Sequence, residues 1–195
     1  MQIEYEATFW PIDKEEMRQK LLLVGAHMEY PERLMRRVVF HLPESAPLTH
    51  GWARVRDEGD KVTMSIKQSG SELEQQKELE ITVSDFDAGI EILRSVGCLE
   101  RAYQETRREL WILDDVAITL DEWPFIEPFV EIEGVSEKAI QAVSDKLGFT
   151  WQKALFCSAD TLYAKKYDVS LDRINKETPR LVFDDLNPFT SESGK

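Results

Sequence analysis

Gln2-Ile3-Glu4-Tyr5-Glu6-Ala7-Thr8 alternates strictly. Extended, it places Glu4, Glu6 and Thr8 on one face and Ile3, Tyr5 and Ala7 on the other. Taken alone, such a stretch reads as a surface strand with a solvated acidic face, the usual place for carboxylates. The pattern recurs, however. Phe129-Val130-Glu131-Ile132-Glu133-Gly134 has the same spacing, with Val130 and Ile132 on its apolar face, and Lys77-Glu78-Leu79-Glu80-Ile81 repeats it. Arg54-Val55-Arg56 and Ser65-Ile66-Lys67 carry the opposite charge at the same period. A surface has no need of acidic and basic strands that alternate in step. The interior of a polar barrel that holds a metal and an anion does.

A chain of 195 residues suits one domain, or one domain with a tail. Its hydrophobic share of 42% is enough for a core. The net charge of −13, from 24 basic and 37 acidic residues, sets the surface against nucleic-acid backbones and anionic membranes. Local clusters of cations still leave room for a small anion. No apolar run is long enough to cross a membrane. The start, MQIEYEATFW, lacks the basic and apolar regions of a secretory signal. Cys98 and Cys157 have no metal or redox spacing, so they read as thiols of a reducing, cytoplasmic environment. His27, His41 and His50 form no ligand motif.

Along the chain, the spacing predicts a helix opened by Pro11 and Asp13, with Met17, Leu21, Leu22 and Val24 as its stripe and Gly25 as its stop. Strands follow over 33–40, 52–56 and 61–68, the last two a hairpin about Asp57 to Asp60. Ser69-Gly70-Ser71 reads as a turn before a strand over 74–83. Ser84-Asp85 caps a helix with Phe86, Ile90, Ile92, Leu93 and Val96 as its stripe, stopped at Gly97. Strands over 101–113, 116–122 and 129–133 come next, with a bulky loop from Trp123 to Pro128 between the last two. Ser136 caps a helix carrying Ile140, Val143 and Leu147, and a short helix is expected over 159–165. From Tyr167 the pattern weakens, and 167–195 reads as a C-terminal extension that frays at Ser191 to Gly194. The sum is an α+β fold, an eight-stranded antiparallel β-barrel over residues 1–166 with helices packed outside.

With the charged faces turned inward, Glu4, Glu6, Glu131 and Glu133 are the natural site for a hard cation. Mg2+ or Mn2+ takes oxygen ligands and keeps waters, so a few carboxylates and a phosphate complete it. Arg54, Arg56, Lys67 and Arg108 are the natural phosphate clamp, with Arg36 or Arg37 as an addition. Glu78, Glu80 and Asp121 would orient these cations or touch a second metal. Burying so many charges is very costly unless they pair or hold a ligand. Together they suit a polyanion carrying a divalent metal, hence phosphoryl or nucleotidyl transfer. Trp123, Phe125 and Phe129 read first as packing, and second as a stacking platform for a base.

The ordered set Glu4-x-Glu6, Arg54-x-Arg56, Lys67, Glu78-x-Glu80, Arg108, Asp121 and Glu131-x-Glu133 resembles the CYTH superfamily, the triphosphate tunnel metalloenzymes. The resemblance covers about residues 1–165. It implies a barrel enclosing a triphosphate, with Mg2+ or Mn2+ on Glu4, Glu6, Glu131 and Glu133 and phosphates on Arg54, Arg56, Lys67 and Arg108. Two positions depart from the family pattern. Thr8 stands where the family's E-x-E-x-K signature has lysine, and Thr106 where a second cation commonly precedes the later arginine. Arg107 falls on the other face of a regular strand, which leaves Arg36 or Arg37 to make up the charge.

The expected activity is metal-dependent hydrolysis of an inorganic or organic triphosphate. Glu4, Glu6, Lys67, Glu131 and Glu133 are the catalytic set, and Asp121 joins the metal ligands. A class IV adenylate cyclase making cyclic AMP from ATP is the close alternative. A non-catalytic module that binds triphosphate or polyphosphate is the alternative from another class. The expected partner is a small molecule such as inorganic triphosphate, thiamine triphosphate or ATP, with no nucleic acid or membrane. The chain would act as a monomer or homodimer.

Overall fold

The computed structural model describes residues 1–195 apart from 4, 49, 69–76 and 191–195. The expected turn at Ser69 to Ser71, the start of the strand at 74, and Ser191 to Gly194 therefore lie outside the described residues. Among the described residues there are ten strands: β1 (Gln2–Ile3), β2 (Tyr5–Phe9), β3 (His27–His41), β4 (Gly51–Asp57), β5 (Val62–Gln68), β6 (Lys77–Val83), β7 (Leu99–Leu113), β8 (Val116–Glu122), β9 (Phe129–Gly134) and β10 (Arg180–Leu181). Five helices accompany them: α1 (Lys14–Leu23), α2 (Phe86–Ser95), α3 (Glu137–Lys146), α4 (Ala159–Tyr167) and α5 (Leu171–Lys176). Among the described residues no helix is long and apolar enough to cross a membrane.

The sheet runs in the order β1-β6-β5-β4-β3-β7-β8-β9-β2, and its neighbours are antiparallel throughout. Its two ends meet in one stretch of chain. On one side of residue 4, β1 pairs with β6 (Ile3 opposite Lys77). On the other, β2 pairs with β9, from Tyr5 opposite Gly134 to Phe9 opposite Val130. With β1 and β2 taken as one run, this is the eight-stranded antiparallel α+β architecture that the alternation predicts.

Alternation also decides which face meets the helices. Ala7, Phe9, Ile118, Leu120, Val130 and Ile132 form a core with Met17 and Leu21 of α1 and Ile140 and Val143 of α3. Val38, Phe40, Ala53 and Val55 form a second with Phe86, Ile90 and Leu93 of α2. The helices begin where the sequence says. Asp13, Asp85 and Ser136 each accept a hydrogen bond from the backbone N–H three residues on, the usual N-cap. α1 and α2 end into Gly25 and Gly97, at φ +84° and +88°, the left-handed cap that disfavours other residues.

Some expectations fail for physical reasons. Leu22, Ile92 and Val96 are exposed, at 64%, 52% and 63%. Phe86, Ile90 and Leu93 keep the helical spacing, whereas Ile92 lies nearly opposite Ile90 at 100° per residue. β3 starts at His27, before Pro31, because its ladder with β7 shifts register between Met28 and Tyr30 and again before Arg33. Such irregularities admit a proline that donates no ladder bond.

Past Tyr167 the chain is ordered into α5 and β10. β8 pairs with β7 only from Arg107 to Leu113, which leaves the first half of the β7 edge open. β10 takes it in parallel, with Arg180 opposite Tyr103.

Outside the sheet, α1 is pinned by a buried carboxylate. Glu109 is 2% exposed and accepts from Arg18 Nε at 3.0 Å, Arg18 Nη2 at 2.9 Å and the Trp111 indole N–H. Glu109→Gln keeps one acceptor and loses the charge. It should cost about 1–2 kcal/mol, read as a lower urea midpoint at unchanged slope. A neutral result would mean that the Arg18 bridge adds nothing.

Candidate functional site

The faces that do not meet helices carry the charges. β2 contributes Glu6 and Thr8, β9 Glu131 and Glu133, β8 Thr119 and Asp121, and β7 Thr106 and Arg108. β3 contributes Arg37, β4 Arg54 and Arg56, β5 Thr63, Ser65 and Lys67, and β6 Glu78 and Glu80. Register sets the neighbours: Glu6 lies opposite Glu133, Thr8 and Thr119 flank Glu131, Arg108 lies opposite Asp121, Arg37 opposite Arg56, and Lys67 opposite Glu78. The result is a basic wall on β3, β4 and β5 and an acidic wall on β2, β8 and β9. Arg108 stands between them, donating to Asp121 at 2.7 Å and Glu131 at 2.6 Å.

The basic wall is buried, with Arg37, Arg54 and Arg56 all below 10% exposure. Arg54 donates to Glu78 at 3.1 Å and Glu80 at 3.2 Å, and Lys67 pairs with Glu78 at 3.0 Å. Arg56 donates to Glu58 at 2.8 Å. Arg37 donates to the Thr106 hydroxyl at 2.9 Å, and its guanidinium lies 4.6 Å from the centre of the Trp123 ring. Nε of Arg37 and Nε of Arg54 are buried without a hydrogen-bond partner among the described residues. Burial, reinforced by Arg54, Arg56 and Arg108, pushes Arg37 well below the ordinary arginine range. Burial and Arg56 also lower Arg54. Arg108 goes the other way: burial works against its charge, but Asp121 and Glu131 outweigh it and raise it. Burial and then Asp121 push the Glu131 carboxyl up, against Arg108, Lys67 and Arg37. Several cations packed together, with buried Nε donors to spare, suit the binding of an anion.

On the acidic wall, Glu6 and Glu133 face each other across an antiparallel pair, where like charges repel unless a cation lies between them. Their hard oxygen donors suit Mg2+ or Mn2+. Among the described residues no three acidic, histidine or cysteine side chains converge on one point. Asp121 and Glu131 are drawn to Arg108 instead. Glu4 lies outside the described residues.

Of the two neighbours at 36 and 37, only Arg37 reaches this face. Arg36 stands on the outer face, donates to Asp57 at 3.0 Å and covers the Phe86 ring, so the structure does not bring it to the phosphate clamp. Arg107 is also outside, on Glu122 and over Phe183. Trp123 belongs to a packed aromatic cluster rather than a free platform. Two contributors escaped the sequence reading. Glu58, in the turn of the β4–β5 hairpin, is 4% exposed. Burial would raise its carboxyl, but Arg56 outweighs this and holds it low. Tyr30 is half-buried, and burial raises its phenol against the nearby Arg108. Tyr30 lies in no alternating charged run, and Glu58 continues the Arg54, Arg56 period only one step past the end of β4.

A cavity of about 540 Å3 opens between β6 and the β7–β8–β9 side, lined by Glu78, Glu80, Ile112, Ala117, Glu133 and Val135 among others. The two thiols lie apart from it. Burial pushes Cys157 up to about 11 and raises Cys98 as well. Both are therefore thiols rather than thiolates at pH 8, and iodoacetamide should label neither in the folded protein while labelling both in urea. Rapid labelling of Cys157 in the folded protein would show that its cover opens.

The CYTH domain model matches residues 2–158. No curated protein matches the chain. Solved structures share its fold. A Pyrococcus horikoshii protein is 23% identical, with a TM-score of 0.66, over 80% of this chain and 96% of that one. A candidate adenylate cyclase of Vibrio parahaemolyticus is 12% identical, with a TM-score of 0.71, over 84% and 98%. A Hippeastrum candidate adenylyl cyclase, described as having a dominant triphosphatase activity, is 13% identical, with a TM-score of 0.55, over 87% and 99%.

Proposed function

We propose, from the premise that this chain belongs to the CYTH domain family, that it is a metal-dependent hydrolase of a triphosphate bound between the two walls. The observation that carries this is the group Arg37, Arg54, Arg56 and Arg108, packed together inside the barrel with buried Nε donors of Arg37 and Arg54 unsatisfied. A phosphate chain supplies acceptors for these donors and a negative charge for Arg37, whose hydrogen bond goes to the neutral Thr106 hydroxyl.

Arg54 and Arg56 offer planar forks to phosphoryl oxygens, and Lys67 offers a point charge. Glu78 and Glu80 hold these cations in place. Arg37 fills the place left by Thr106, to whose hydroxyl it is tied. Arg108, fixed on Asp121 and Glu131, sits where the terminal phosphoryl group would gather negative charge. Glu6, Glu131 and Glu133, with Glu4, would hold Mg2+ or Mn2+, with Asp121 beside them. When bound, that ion would neutralise phosphoryl oxygens and acidify a water. The chain's own share is to position the phosphates and stabilise the developing charge.

The test is product analysis with Mg2+ or Mn2+ on inorganic triphosphate, thiamine triphosphate and ATP in parallel. Orthophosphate from one of them is expected. Cyclic AMP and pyrophosphate from ATP would replace hydrolysis with cyclisation. No product, together with a metal-dependent rise in melting temperature on adding tripolyphosphate, would make this a binding module.

A further inference from the structure

We infer that the segment after residue 158 seals one end of the barrel, making the site a blind pocket that takes a phosphate chain by its free terminus from the other end. The inference rests on the triphosphate reading above and adds a direction and a length limit to it.

The seal is an aromatic cluster. Leu162, Tyr163, Ile174, Leu181 and Phe189 pack with Phe129 and Trp123. The last two come from the end of β9 and the loop leading to it. α4 fastens that loop: the Tyr163 hydroxyl donates to Pro124 O at 2.6 Å, and Lys166 Nζ donates to Phe125 O at 2.8 Å. β10 closes the adjacent gap along β7, and Tyr103 N–H donates to Pro179 O at 2.9 Å just before it. This cluster reaches the basic wall directly, because Trp123, on which Arg37 rests, is one of its members.

Exposure shows the consequence. At the sealed end the inward positions Thr106, Phe129 and Val39 are 0%, 1% and 3% exposed. Inward positions elsewhere in the barrel, such as Asp121, Thr63 and Ser65, are equally dry, so it is the packing of the aromatic cluster against Phe129 and Trp123 that marks this end. At the other end Glu133 is exposed, Ile112 and Ala117 are half-buried, and the cavity opens there. The family match ends at residue 158, so the described part of the seal that follows α3 and its short turn comes largely from chain beyond it. A phosphate chain entering from the open end stops against Arg37 and Trp123. Whatever its first few phosphates are joined to stays outside, beside the carboxylates of the mouth.

An open tunnel would accept any internal triplet of a linear polyphosphate. Affinity per chain would then grow with the number of registers, roughly fortyfold for a chain of about 45 phosphates relative to triphosphate. A blind pocket sees only chain ends, and the acidic surface repels the remainder. The experiment is calorimetric titration of the full chain with triphosphate and with polyphosphates of increasing length, at fixed free Mg2+. Affinity per chain that stays constant within about twofold, or weakens with length, is expected. Affinity that tightens in proportion to length would overturn the seal and leave the triphosphate site standing. Failure of triphosphate itself to bind would remove the functional reading and this inference with it.

Discussion

Glu131→Gln is expected to lower triphosphate turnover by roughly 100- to 1,000-fold, the scale seen when one electrostatic contributor to a transition state is lost, while the protein stays folded. Glu131 lies at the centre of the acidic wall, flanked in register by Thr8 and Thr119 and bonded to Arg108 at 2.6 Å. The amide keeps an acceptor for Arg108, which also retains Asp121 at 2.7 Å. The proposed metal site would lose a charge and an anionic oxygen. The effect on stability has a definite sign. Burial and Asp121 raise this carboxyl in the folded state. The native protein therefore holds that proton more readily than the unfolded chain. Ionised Glu131 costs stability as pH rises from the ordinary carboxylate range through its raised value. Glutamine removes that cost, so the melting temperature at neutral pH should hold or rise. Turnover and melting curves on one preparation check both halves. Undiminished metal-dependent turnover would take Glu131 out of the metal set.

The same residue shows what the sequence makes legible. Period-two alternation says that Glu131 and Glu133 share a face and that Val130 and Ile132 share the other, and they do. Joint alternation of acidic and basic runs says that the charged faces turn inward, because a helix must cover each apolar face. It cannot settle positions where the strands depart from regularity. Arg36 and Arg37 are adjacent, and only the register of β3 against β4 shows that Arg37 is the one inside. Glu58 sits one residue past the end of β4, where period two no longer guarantees a face, and is buried through Arg56 and Thr63. Residues 167–190 carry weak periodicity because their order comes from tertiary partners. β10 is two residues long and exists because β7 outruns β8. Trp123 was readable as bulky, but its position under Arg37 depends on α4, far along the chain.

Arg37→Met should weaken triphosphate binding by about 10- to 150-fold, the loss of a charge-assisted contact of roughly 1.5–3 kcal/mol, and should leave the unliganded protein as stable as before or more so. The two effects have opposite signs because Arg37 has no carboxylate partner among the described residues. It is 5% exposed, bonded to a neutral hydroxyl, and lies opposite Arg56. Burial and the neighbouring arginines push it well below the ordinary range, so its charged form is disfavoured in the folded state. That cost is present at every pH where the unfolded chain carries the charge. Replacing a buried charge with an apolar side chain of similar length is often stabilising, by about 1–4 kcal/mol. Against this stand the Thr106 hydrogen bond, about 1 kcal/mol, and the contact with the Trp123 ring, about 1 kcal/mol. The balance is near zero or favourable. Arg37→Lys would restore charge but not the planar fork over the indole, so it should recover only part of the affinity. Thermal melts without ligand, paired with titrations of triphosphate, separate the possibilities. A variant that melts well below the native protein and binds triphosphate undiminished would make Arg37 a structural strut of the aromatic seal. A variant that melts higher and binds poorly would show that the fold tolerates a standing electrostatic cost at the spot where the anion is to be received.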